Sequence, residues 1–271
     1  MLKLHTNITY RRTKEFNMKK KLSLSGILSV LVVIQFLAIV YFNYAKAFGA
    51  LDFDSSLAIR HACEMWKHGI FIKDYSLFSS SLEIDCVGFF AAGVFNLTGN
   101  LGFSMALCHG ISYILTFFLF KDIFRQLRGS KESFLMMVLL YFTPYAVDML
   151  DWAQMLSLCV AQYSFRVFTL LLILDMILMF DNGETNKGKL VVLFVLSQAV
   201  NFWTSFSCGN YVLCMIILPF ILAYVLVAVK NRIRFWTDPK AWFLLISTAV
   251  SVVGWQLRIP YTGVGHRNTL D

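Results

Sequence analysis

The sequence predicts an all-α fold, a polytopic helical membrane protein with about seven or eight transmembrane helices and an amphipathic interfacial helix in its first outer loop. Three observations carry this. Apolar residues make up 58% of the 271 positions and charged residues 15%, more apolar surface than a water-soluble domain can hide. The mean hydropathy is +0.65. Finally, the apolar residues gather in runs approaching the ~20 residues that cross a ~30 Å hydrocarbon core, where a spanning segment must satisfy its own backbone hydrogen bonds.

Residues 1–21 read as a basic cytoplasmic segment, and Met18-Lys19-Lys20-Lys21 looks like a natural start that would make residues 1–17 an extension. Residues 22–42 form the first transmembrane helix. Ala45-Lys46-Ala47 imitates a signal cleavage site, but the apolar run exceeds the roughly 7 to 15 residues of a signal h-region, so the segment reads as an uncleaved signal-anchor. Residues 43–85 make the outer loop with the interfacial helix, 86–257 a multi-span bundle, and 258–271 a C-terminal tail. Within the bundle the spanning runs are 103–120, 133–147, 160–180, 190–206, 211–229 and 241–257. The run 86–97 is short, carries Gly88 and Gly93, and ends in the turn-forming cluster Asn96-Leu97-Thr98-Gly99-Asn100. It reads as half of a tight hairpin or as a re-entrant or broken helix.

Charge sets the expected orientation, because Lys and Arg concentrate on the cytoplasmic side. The basic N-terminus lies inside. If 86–97 does not span, the loops with Lys121, Arg125, Arg128 and Lys131, with Lys187 and Lys189, and with Lys230, Arg232, Arg234 and Lys240 all fall inside. Seven spans then follow, whereas eight would move every one of these loops outside. In both versions the loop 43–85 is on the outer face of the cell membrane. The net charge of +8 is explained by loops facing anionic lipid and gives no reason to propose nucleic acid as a partner. The six Cys form no C-x-x-C pair, so a zinc or redox framework has no support. Cys63 and Cys86 flank the outer loop and are able to pair, but free thiols are the leading reading.

The outer loop is where carboxylates, histidines and an arginine gather. Asp54-Ser55 before Leu57, Ala58, Ile59 and Ala62 reads as a helix start, with Asp54 or Ser55 capping the first amides and Gly69 stopping the helix. The apolar side would rest on the bilayer. Capping alone does not account for Asp52, two residues before Asp54 where the first span leaves the membrane. A carboxylate there can act as a base toward an acceptor hydroxyl or hold a divalent cation against a lipid-linked phosphate. The alternative is a cap at Asp54 and a solvated Asp52. His61, Glu64 and His68 fall at i, i+3 and i+7, a spacing that can serve a metal and also arises on the wet side of any amphipathic helix. Asp74, Glu83 and Asp85, with Tyr75 and Phe78 between them, add acidic and aromatic groups suited to a sugar.

The signal-anchor, the acidic opening of the outer loop, the amphipathic stretch Ser56 to Gly69, the following Ile70-Phe71-Ile72-Lys73-Asp74 and the patterned run Phe89 to Phe120 together resemble the N-terminal portion of GT-C superfamily membrane glycosyltransferases. These are similar in layout to protein mannosyltransferases and aminoarabinose transferases. The resemblance implies an outer-face enzyme that transfers a sugar from a polyprenyl-phosphate donor to an acceptor glycan, lipid or protein, by inverting displacement at the anomeric carbon. It places the catalytic carboxylate at Asp54, with Asp52 next, and Asp54 as the cation-holding group if a divalent cation takes part. Substrate would meet Arg60, His61, Glu64, Asp74 and Glu83. Family layout favours eight spans. Many relatives carry Asp-Glu where this chain has Asp54-Ser55, and such enzymes usually continue through several more spans, so a chain ending at Asp271 reads as a truncated product or as an N-terminal half lacking acceptor recognition, and activity of the chain alone does not follow from the resemblance.

Polar residues in the spans extend the candidate site. Asp148 and Asp151, with Trp152 and Gln154, form an acidic break that the seven-span arrangement puts outside. Arg166 would meet a lipid phosphate, pair with Asp148 or Asp151, or snorkel to the interface. Asp175, His109 and Asn201 sit deeper and read as interhelical hydrogen-bonding groups. The alternative to the enzyme is a non-catalytic polytopic protein, a transporter subunit or assembly component. The sequence carries no clear internal repeat and its charges lie mostly in loops, which disfavours transport.

Overall fold

The computed structural model describes residues 23–51, 53–69, 82–143, 157–158 and 161–261, and among them every regular element is helical. The first helix, α1 (Leu24–Ala50), opens at Ser23, whose hydroxyl accepts from the amide of Gly26 at 3.2 Å. It runs past residue 42, where the sequence placed the start of the outer loop. One reason is Asn43, which is fully buried and donates to the carbonyls of Ile39 and Ser157, each at 3.0 Å. A polar side chain satisfied inside the protein does not end an apolar helix.

Two shorter elements follow. Helix α2 (Phe53–His68) stops at Gly69, which takes φ 98° and donates back to Met65, as its glycine requires. Helix α3 (Val87–Thr98) and helix α4 (Leu101–Gln126) are joined by a tight turn. There Gly99 adopts φ 69° and Asn100 caps α4 by accepting from Phe103 at 3.0 Å. The turn cluster expected at 96–100 is therefore present.

Helix directions follow from the side chains that meet. Gly102 of α4 lies against Tyr44, Gly110 against Phe36 and Val40, and the Tyr113 hydroxyl donates to Val32 at 3.3 Å. Helix α4 thus starts where α1 finishes and runs back along it. Val87 and Phe90 of α3 share a small hollow with Cys108, Ile111 and Leu115, while Thr98 meets Ser104 at 3.3 Å. Helix α3 is therefore a half-length arm laid against the first half of α4. It is about 18 Å long. This resolves 86–97 as one side of a hairpin.

The remaining helices alternate. Helix α5 (Lys131–Phe142) returns beside α1, where Gln35 donates to Leu139 at 2.9 Å and Tyr113 stacks on Phe142 at 4.1 Å. Helices α6 (Ser164–Asp181), α7 (Lys187–Cys208), α8 (Leu218–Lys230, entered through the π-helical turn Leu213–Ile217) and α9 (Pro239–Arg258) complete the bundle. Lys189 pairs with Asp122 at 2.6 Å and Lys240 with Asp181 at 2.5 Å. These ties collect the end of α4, the end of α6 and the starts of α7 and α9 at one end, called the basic end here. The opposite, distal end holds α2, the α3–α4 turn, Ser207 and Arg258.

Small and hydroxylated side chains knit α7 to its neighbours. Asn201 donates to Ser247 at 2.8 Å, Ser205 meets Ser251 at 2.8 Å, Gln198 donates to Ser247 at 2.9 Å, and Thr169 meets Thr204 at 3.1 Å. Gly254 lets α9 approach the backbone of Phe202 so closely that a methyl group would stand 2.9 Å from its carbonyl oxygen. Small residues with interhelical hydrogen bonds are what holds helices together where lipid removes the hydrophobic driving force.

Five of the described helical stretches are long and apolar enough to cross a membrane, namely Leu24–Lys46, Leu101–Gln126, Lys187–Cys208, Leu213–Lys230 and Pro239–Tyr261. Large apolar side chains such as Leu226 and Val229, exposed at 72% and 74%, are costly in water and at home in hydrocarbon. The architecture fits a multi-pass membrane protein.

Candidate functional site

The distal end is built around Asp85, which is completely buried. Its Oδ2 accepts from Arg166 Nε at 2.9 Å and its Oδ1 from the Ser207 hydroxyl at 2.5 Å. Ser207 in turn accepts from the amides of Ile84 at 3.1 Å and Asp85 at 3.3 Å, and its carbonyl accepts from Leu82 at 3.1 Å. Trp203, one turn earlier on α7, donates to the carbonyl of Ile84 at 2.9 Å. The segment 82–85 is thus laid on the last turn of α7. A carboxylate taken out of water needs this degree of compensation.

Arg166 lies in the first turn of α6, where the helix dipole opposes a cation. Asp85 offsets that, as do two ring faces, with the guanidinium carbon 4.6 Å from the Tyr163 ring and 5.0 Å from the Tyr211 ring. Arg258 arrives from the last turn of α9. It is buried, within electrostatic reach of Asp85, Arg166 and Cys208, and its guanidinium fills the space above Gly209. Gly209 takes φ 70° and ψ −131°, a region open to glycine and strained for other residues. A side chain there would displace Arg258.

Helix α2 packs beside this cluster. Its apolar residues Ala58, Ile59, Ala62, Cys63 and Met65 are buried with Leu82, Ile84 and Phe89 in one core. Trp66 donates to the carbonyl of Phe89 at 2.7 Å, and Asn96 donates to that of Cys63 at 2.8 Å. Much of the apolar face expected to rest on lipid is therefore packed against α3 and the segment before it. The helix also starts earlier than expected, at Phe53, which puts Asp54 inside the first turn and not at the cap. The side chains of Asp54 and Ser55, and all of Asp52, Asp74, Asp148 and Asp151, lie outside the described residues.

Of the other predicted site residues, Arg60 is exposed and His61 half-buried. Burial, aided by the neighbouring charge of Arg60, holds His61 below its usual value, and burial pushes the Cys63 thiol up. Glu64 lies 3.5 Å from Lys67 and 3.4 Å from His68. The described residues bring together no group of three or more His, Cys, Asp or Glu able to hold a metal ion. Cys63 and Cys86 are both free thiols. Glu83 precedes the buried pair with φ 56°. Among the described residues Arg166 meets Asp85, whereas Asp148 and Asp151, offered by the sequence as partners, lie outside them. Ser207, Arg258, Tyr163 and Tyr211 were absent from the predicted set. A lone Arg closing an apolar run, like a Ser in its last turn, carries no local signal of such a role.

No family model, curated protein or solved structure matches this chain.

Proposed function

We propose that this chain is a multi-pass membrane glycosyltransferase of GT-C-like layout, which takes a sugar from a polyprenyl-phosphate donor at the distal end of the bundle. The observation that carries this reading is the convergence there of the partly buried Arg166 and the buried Arg258 around Asp85, beside α2, whose first turn holds Asp54. Planar guanidinium groups are the side chains best suited to a lipid-linked phosphate. In this reading the basic end, with Lys121, Arg125, Arg128, Lys131, Lys187, Lys189, Lys230, Arg232, Arg234 and Lys240, is cytoplasmic. The distal end is then the outer face, seven passes cross the membrane, and α2 lies at the interface.

The chemistry assigned to the site is an inverting displacement. Asp54 takes the proton of the acceptor hydroxyl as its oxygen bonds to the anomeric carbon. The bond from that carbon to the phosphate oxygen breaks, and polyprenyl phosphate departs with the electron pair. Arg166 and Arg258 stabilise the charge on that leaving phosphate.

The test uses membranes carrying the full chain, supplied with polyprenyl-phosphate mannose or glucose bearing a labelled sugar. Label is expected to leave the carrier lipid. Asp54→Asn should reduce this by about a hundredfold or more at unchanged membrane insertion, and Arg258→Gln should weaken retention of the carrier lipid. Transfer that persists in Asp54→Asn removes the assigned base. Carrier lipid retained equally by wild type and Arg258→Gln removes the site.

A further inference from the structure

The basic end carries a second feature that the transfer reaction does not use. An open hollow of about 630 Å³ runs between α4, α6 and α7. Its walls are apolar, formed by residues such as Leu115, Phe168, Leu196 and Val200, and its lower mouth carries Lys121, Arg125 and Lys189 together with Asp122 and Asp175. Leu115 and Leu196 are 54% and 48% exposed, so the hollow opens sideways.

Asp122 organises the mouth. It accepts from Arg125 at 2.5 Å on its own helix and from Lys189 at 2.6 Å across on α7. Two cations are thereby held on opposite sides of the opening. Gln126 donates to Asp175, which occupies that carboxylate within the protein. Lys121 is exposed, its ammonium 5.9 Å from the centre of the Phe118 ring at the rim.

The dimensions select the occupant. Along α4 from Leu115 to Arg125 and along α7 from Lys189 to Val200 each wall of the hollow is about 15 Å long at ~1.5 Å per residue, half of a ~30 Å hydrocarbon core. That is the depth of one leaflet. A smaller hollow of about 270 Å³ continues beyond it, sharing Leu115, Phe165 and Phe168, and has no charged residue in its wall, so a charged headgroup has its place at the lower mouth. Apolar walls about one leaflet deep, ending in a mouth where Lys121, Arg125 and Lys189 outnumber Asp122 and Asp175, match a lipid whose acyl chain lies in the groove and whose phosphate meets the bases. A choline headgroup would bring its own cation against Lys121 and Arg125.

We infer that the groove between α4, α6 and α7 is a binding site for an anionic glycerophospholipid of the leaflet at the basic end. The inference rests on the membrane placement alone and stands or falls apart from glycosyl transfer. The test reconstitutes the full chain in nanodiscs of equal phosphatidylglycerol and phosphatidylcholine and reads the lipid retained on release by native mass spectrometry. Phosphatidylglycerol is expected to be retained over phosphatidylcholine. Lys121→Gln should lower that preference about fivefold. Leu196→Trp, which fills the groove from an exposed position, should lower retention of both lipids, and both variants should melt as the wild type does. Equal retention of the two lipids overturns the inference, as does a preference unchanged in both variants. Farnesyl phosphate displacing phosphatidylglycerol at equal or lower concentration would overturn it in favour of a polyprenyl ligand.

Discussion

Asp85 shows how much of one residue's meaning depends on what arrives from elsewhere in the chain. In sequence it is one of several acids closing a polar loop. In the fold it is fully buried, held by Arg166 from 81 residues away and by Ser207 from 122 residues away. Removing one member of such a pair strands the other charge in low dielectric, at a cost of about 3–5 kcal/mol. Asp85→Asn and Arg166→Gln are each expected to lower the melting temperature sharply. The double variant should be less destabilised than the sum of the two, because neither charge is then left without its partner. Strict additivity in thermal unfolding of the purified protein would show that the two groups do not act as a pair. Arg258 and Gly209 were beyond sequence reasoning for a related reason. The glycine is needed because α9 delivers a guanidinium onto it, a fact of packing and not of local conformation.

Among the elements, α3 and α4 illustrate the difference between a pattern and its placement. The cluster around Gly99 predicts a turn, which is observed with Gly99 at positive φ, and the structure adds Asn100 as the cap of the helix that follows. The same residues leave open whether α3 spans. They also leave unsaid how α4 runs, and its contacts with α1, above all Gly102 beneath the carbonyl of Tyr44, fix that. Gly102→Val would push backbone against backbone and force the two helices apart. The expected cost is about 1–3 kcal/mol, measured as loss of thermal stability in detergent, whereas the same change at Gly49, with nothing near it, should be mild. Equal effects at the two sites would show that the α1–α4 approach is not tight. Helix α2 was recognised from its spacing, and its partner was not. Periodicity identifies an apolar face, but lipid and protein satisfy that face equally well.

For the molecule as a whole, the alternation of α1, α4, α5, α6, α7, α8 and α9 gathers the predicted basic loops at one end. Introducing cysteine at Arg128, in the exposed turn after α4, gives a direct reading of orientation. Once the native cysteines are replaced, a membrane-impermeant maleimide should label Arg128→Cys only after the cells are permeabilised, and Trp66→Cys at the distal end without permeabilisation. Labelling in the opposite order would invert the bundle and place the arginine cluster inside. Composition and run length sufficed for the helical membrane class, since transfer of apolar side chains is a sum over residues that needs no knowledge of neighbours. The turn at 96–100 and the stop at Gly69 were equally available, being local in the chain, whereas the cap expected at Asp54 or Ser55 gave way to a helix that starts at Phe53. Which helix starts on which side, which arginine reaches Asp85, and where an apolar groove ends in bases were settled by the tertiary structure alone. Each is a meeting of residues distant in sequence, and the energy of burying and pairing them exists only once the helices have packed.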